Sequence, residues 1–224
     1  MSAKLLHLLQ LVSPALPVGA FSYSEGLEVM IQNGQLGDRG AVKAWLEAEL
    51  NHGLLPMEAC CLPMQMALGR RWREGDPSAA QALIDRDQWL LAQRESPEMR
   101  AQQRQMGTSL LQLLSDLGWP LPTPLVLGWP GAWAWAGICL DLDPLDVIEG
   151  YLYGWVANQL SAAVRLVPLG PTEAQRLQLS LAEPIADRAR ELTTLDLDSL
   201  WTSGIGASLA QLSHGALYSR LFRS

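Results

Sequence analysis

Apolar residues recur at three- and four-residue spacing along most of the chain, the period of a helix that buries one face. No segment alternates apolar and polar positions with β-branched enrichment, and no Asn-Gly or Asp-Gly turn joins two such runs. Leu, Ala, Gln and Arg, all good helix formers, dominate instead. The pattern predicts helices over about 4–12, 24–33, 39–52, 57–74, 77–94, 97–117, 131–140, 144–167, 172–193 and 205–218. Start signals support several of them. Asp38 precedes one, and Asp76-Pro77, Ser96-Pro97 and Asp143-Pro144 each set an N-cap residue before a proline at the first helical position. Pro63 and Pro184 are expected to kink or split their helices. Short connections make neighbours antiparallel, so the expected fold is all-α: one antiparallel helical bundle of about ten helices over 1–224.

The helix from Pro144 is the expected centre. Its apolar residues, among them Leu145, Ile148, Leu152, Val156, Leu160 and Val164, cover more than one stripe. Gly150 and Gly154 face one way and admit a close neighbour. The run from Pro124 to Leu140 carries no charge, but Gly128, Pro130 and Gly131 interrupt it, so it reads as a buried core helix rather than a membrane span.

Composition narrows the partners. The net charge of −7 makes a nucleic-acid backbone an unfavourable one. Nine Trp against two Phe raises the weight of a protein–protein surface. Three cysteines, two of them the neighbours Cys60 and Cys61, do not suit a disulfide framework and fit a reducing cytoplasm. The apolar run after Lys4 is short, broken by His7 and Gln10, and lacks a small-residue cleavage site, so it does not read as a signal peptide.

Two stretches stand apart. Ser13 to Glu28, SPALPVGAFSYSEGLE, combines Pro14 and Pro17 with Gly19 and Gly26 and carries aromatics where a spacer would be polar. It reads as a shaped loop opening a helix at Ser24, with Glu25 and Glu28 near the positive helix start. Such a loop either plugs the core or presents a surface. The end, Leu217 to Ser224, places Tyr218, Leu221 and Phe222 beside Arg220 and Arg223, a tail more suited to docking than to fraying.

Catalytic signals are sparse. His7, His52 and His214 lie far apart, Cys60-Cys61 lacks metal-ligand spacing, and there is no phosphate-binding glycine loop. Asp141, Asp143 and Asp146 could hold Mg²⁺ in a small helical enzyme. The simpler reading is that Asp143 caps the following helix while the other two favour its positive end.

Three separated segments, LLQLVSPALPVGAFSYSEGLE, GYLYGWVANQLSAAVRLVPLG and SHGALYSRLFRS, resemble the UreF family of urease accessory proteins, in the right order. RESPEMRAQQRQMGTSLLQLL is also similar to it. The resemblance implies a cytoplasmic, non-enzymatic, all-α homodimer without a resident cofactor. It further implies binding to UreD (also called UreH) and recruitment of the GTPase UreG, so that the assembled complex delivers Ni²⁺ to apo-urease. Its motifs point to Phe21, Tyr23, Glu25, Glu28, Tyr218, Arg220, Leu221 and Phe222 as partner-binding residues. We expect loop and tail to lie close together, with Arg220 holding the loop by charge-assisted hydrogen bonds and so presenting a surface to the GTPase. An adaptor unrelated to urease is the remaining alternative.

Overall fold

The computed structural model describes residues 3–223. Within them the chain forms eleven α-helices and no strand: α1 (Ala3–Leu11), α2 (Leu27–Gln32), α3 (Arg39–His52), α4 (Leu55–Arg73), α5 (Pro77–Ala92), α6 (Pro97–Asp116), α7 (Trp129–Cys139), α8 (Pro144–Leu166), α9 (Pro171–Ser180), α10 (Ala182–Thr194) and α11 (Ile205–Ser213). The all-α antiparallel bundle expected from the sequence is the observed architecture.

The caps work as their chemistry predicts at three starts. Asp38 accepts the Ala41 amide, Asp76 accepts the Ser78 amide, and Ser96 accepts the Met99 amide. Asp143 differs. It occupies the N-cap position of α8 with extended backbone but makes no capping bond; its carboxylate turns instead to the Lys4 ammonium, 3.4 Å away.

Two helices change shape relative to expectation. The segment 172–193 breaks at Leu181 into α9 and α10, which places Pro184 in the first turn of α10, where a missing N–H costs no intrahelical bond. By contrast α4 runs through Pro63 without interruption.

Helices α4 and α8 share the centre. The first packs against α3, α5, α7 and α10, the second against α1, α7, α9 and α10, and the two pack against each other. Along α7, Pro130 through Ile138 is buried all round. Its indoles still find acceptors: Trp133 donates to the Val147 carbonyl and Trp135 to that of Trp119. Gly150 is a real contact point, since a Cβ there would lie 2.6 Å from Leu8 of α1. Among the described residues no helix is long and apolar enough to cross a membrane.

The loop before α2 holds its shape through left-handed residues. Gly19, Glu25 and Gly26 have φ of 75°, 52° and 89°. Helix α2 therefore starts at Leu27, three residues later than the sequence pattern predicts, because two consecutive left-handed residues cannot propagate a right-handed helix. Gly26 also receives α11: a Cβ on it would sit 3.2 Å from atoms of Ala207, Ala210 and Gln211. Replacing Gly26 by Ala adds backbone strain and overpacking, so Gly26→Ala should cost about 2–4 kcal/mol. Urea unfolding with an unchanged midpoint would contradict this packing.

Candidate functional site: the joined chain ends

The last residues of the chain dock against the loop and α2, and the clamp is Glu28. Its carboxylate, 2 % exposed, accepts from the backbone amides of Leu221 (2.7 Å) and Phe222 (3.1 Å). It also accepts from His214 Nε2 (3.3 Å) and Gln32 Nε2 (3.4 Å). Two donors on each oxygen use all four lone-pair directions of an ionised carboxylate. Two further bonds extend the clamp: the Arg223 backbone amide donates to the Ser22 carbonyl, and Gln32 Nε2 donates to the Ser219 carbonyl. Phe222 is buried beneath them, with the Arg165 guanidinium 5.9 Å from its ring centroid. Burying that ring is worth about 1.5–3 kcal/mol.

The second carboxylate of the loop points elsewhere. Glu25 Oε1 accepts from Gln102 Nε2 of α6 at 2.7 Å, and Oε2 accepts from the Trp155 indole of α8 at 2.9 Å. Arg94 Nη1 lies 4.0 Å from Oε2. Arg94 is buried and spends its strong bonds on Glu58, whose Oε1 accepts from Nη2 (2.6 Å) and Nε (3.0 Å). Glu58 Oε2 accepts from the Tyr151 hydroxyl at 2.8 Å. Five elements thus meet around one buried guanidinium and two buried carboxylates. Burial pushes the Glu58 carboxyl up while Arg94 pulls it down; the paired, ionised form is the one its hydrogen bonds require.

A third carboxylate, Glu49 near the end of α3, stands at the edge of this cluster beside the start of α11. Burial, then the Glu25 charge, push its carboxyl up to about 7, with Arg94 opposing. The folded protein therefore keeps a proton there that the unfolded chain releases above about 4.5. Stability from this group falls as pH rises from about 4.5 to about 7, and the penalty is complete above that.

Of the residues that the sequence singled out, Tyr23, Glu25, Glu28 and Phe222 are buried. Phe21 (62 %), Tyr218 (106 %) and Leu221 (60 %) stand exposed around them, as does Arg220. The loop and tail are adjacent as expected, but the expected role of Arg220 is not observed. Among the described residues Arg220 makes no bond to the loop; Glu28 holds the tail through backbone amides instead. The Arg220 charge faces Glu98 at the start of α6, whose carboxyl is lowered first by the Ser96 hydroxyl and its own amide, then by His214 and Arg220.

Sequence reasoning missed Glu58, Arg94, Gln102, Tyr151 and Trp155. One signal was present: Glu58 is the only charge between His52 and Arg70, and a lone carboxylate in an apolar helix needs a buried partner. The Asp141, Asp143 and Asp146 cluster does not assemble. Asp141 and Asp143 both face Lys4, and among the described residues no three Asp, Glu, His or Cys side chains come together to hold a metal.

Fold and site define an all-α bundle in which a buried carboxylate, Glu28, joins the tail to the N-terminal loop and α2, while Phe21, Tyr218 and Leu221 face out around it. A family model described as UreF matches residues 36–182. Proteins named urease accessory protein UreF are similar over nearly the full length. That of Alkalilimnicola ehrlichii is 41 % identical over 222 residues, covering 97 % of this chain and 95 % of its own. That of a Prochlorococcus marinus strain is 38 % identical over 224 residues, covering 97 % and 98 %. A Nostoc protein of the same name is 38 % identical over 224 residues, covering 98 % and 95 %. The chain belongs to the UreF family of urease accessory proteins, and it is a chaperone-type protein rather than an enzyme.

Two outcomes test this site. Glu28→Gln replaces two acceptor positions by donors, so hydrogen exchange at Leu221 and Phe222 should quicken by about ten- to a hundredfold, equivalent to roughly 1.4–2.8 kcal/mol of lost protection. Exchange rates matching the parent would remove Glu28 as the clamp. Glu49→Gln should stabilise the fold by about 1–2 kcal/mol at pH 8 and leave it unchanged at pH 4. Equal effects at both pH values, in parallel denaturant titrations, would contradict the raised carboxyl.

Proposed function

We infer that this chain bridges UreD (UreH) and the GTPase UreG and so supports Ni²⁺ insertion into apo-urease. It acts in the cytoplasm as a homodimer, with the metal as cargo of the assembled complex rather than a resident cofactor of this chain. The observation that carries this reading is the clamp. Glu28 draws a terminal tail and an N-terminal loop into one surface, from which Phe21, Tyr218, Arg220 and Leu221 project. Exposed aromatic and Arg side chains around a rigid, buried support are what a recognition hot spot requires.

In this reading the eight motif residues divide their work. Phe21, Tyr218, Arg220 and Leu221 contact a partner directly. Tyr23, Glu25, Glu28 and Phe222 hold the surface in shape from below. Helix α11 extends the same end of the molecule. It turns Ala207 and Ala210 inward and leaves Ile205, Leu209 and Leu212, one face at i, i+4 and i+7 spacing, exposed.

Since backbone amides anchor the tail, Arg220→Ala should leave the fold intact while UreG copurification with the UreD-bound complex drops by about tenfold or more. Undiminished UreG recovery, with the circular dichroism spectrum preserved, would take Arg220 out of the recruiting surface.

A further inference from the structure

A cleft of about 400 Å³ opens between the loop and helices α6 and α8. Aromatic side chains form much of its wall. Trp133 is stacked at a tilt on Trp129 with centroids 5.3 Å apart and meets Tyr151 edge-on at 5.8 Å; Trp155, Phe21 and Met106 line it too, with aliphatic residues of α1 and the loop alongside. The volume and the aromatic lining suit a small ligand or a single long side chain.

The charged groups lining it, among the described residues, are Glu25, Glu58 and Arg94, which leaves one net negative charge at the floor. Arg94 and Tyr151 are both committed to Glu58. Glu25 meets the same guanidinium only at the outer limit of an ion pair, so it is the less compensated of the two carboxylates. Each of its oxygens accepts one hydrogen bond, and the nearest guanidinium nitrogen is 4.0 Å away, so two lone-pair directions stay open. Its backbone is held at a φ of 52°, a costly conformation for a residue with a Cβ. Gln103, 3 % exposed, also lines the cleft, with an Oε1 that has no partner. Buried acceptors left open, a surplus negative charge and electron-rich ring faces all favour the same visitor.

We propose that this cleft is a binding site for an organic monocation, an alkyl-guanidinium or alkyl-ammonium group, whose stem lies against the Trp and Met walls and whose head bonds to Glu25 and Gln103. This goes beyond the bridging role and does not depend on it. Such a head group comes either from a free amine or guanidine or from an Arg or Lys side chain of a protein.

Butylguanidinium and its neutral isostere butylurea separate charge recognition from apolar fit. Titrated into the full chain and followed by tryptophan fluorescence and calorimetry, butylguanidinium should bind about tenfold more tightly than butylurea. Glu25→Gln should reduce that ratio to about one. Should that variant unfold, Gln103→Leu replaces the side-chain amide, whose Oε1 has no partner, by an apolar group of similar size; it should keep the fold and weaken butylguanidinium by about threefold or more. Blocked arginine amide binding as tightly as butylguanidinium marks a protein side chain as the source, and its exclusion marks a free small molecule. Equal binding of butylurea and butylguanidinium, or no response to butylguanidinium at about 50 mM, would overturn the proposal.

Discussion

A single carboxylate, that of Glu28, converts a terminal tail into part of the bundle. Tails lose little by fraying because few bonds hold them. Here four donors converge on one buried anion, and two of them are tail backbone amides, so that beyond the buried Phe222 ring the attachment asks little of the tail's side chains. That separation has a consequence. The side chains of Tyr218, Arg220 and Leu221 are released from structural duty and can point outward. Buried ion pairs are weak grounds for stability when hydrophobic contacts could replace them. A charge that orders backbone amides is different, because no apolar residue can satisfy those donors.

The same short loop supplies a second anion, and the backbone decides where it goes. Glu25 and Glu28 are three residues apart and would share one face of a continuous helix. The left-handed pair Glu25-Gly26 breaks that continuity, sending Glu25 to Gln102, Trp155 and Arg94 and leaving Glu28 for the tail. A run of sixteen residues thereby touches α6, α8, α11 and the C-terminus at once. Its strain is sustained because each carboxylate is held by bonds to other elements, which over-determine the conformation.

Much of this architecture was legible in the sequence and some of it was not, for physical reasons. Starts at Asp38, Asp76 and Ser96 were readable because a cap, and at the last two the proline after it, acts within one turn. The break at Leu181 was placed at Pro184 for the same local reason, although a proline in the first turn is harmless. Helix α2 began late because Glu25 adopts a conformation imposed by tertiary partners, which local propensity cannot anticipate. The tail's contact with the loop was anticipated, but its chemistry was assigned to Arg220. A side-chain charge is visible in a sequence, whereas the backbone amides of Leu221 and Phe222 are not. Pairing of Glu58 with Arg94 joins positions thirty-six apart and becomes visible only when α4 meets the end of α5.

The distribution of charge and apolar surface at this end of the molecule is reversed relative to an ordinary globular exterior. Glu25, Glu28, Glu58, Arg94 and His214 are inside, while Phe21, Trp201, Ile205, Leu209, Tyr218 and Leu221 are outside. Scattered apolar side chains on a surface need no explanation, but a helix that buries alanines and exposes its Ile and Leu does. On α11 the choice is forced by Gly26, against which only small side chains fit. The bulky residues are left on the far face, where they weaken the isolated chain's solubility and give nothing to its own core. Interior polar groups fix the shape of the loop and tail, and exterior apolar groups give that shape something to hold. For an accessory protein this ordering is coherent: rigidity comes from bonds that water cannot compete for, and adhesion from surface that water disfavours.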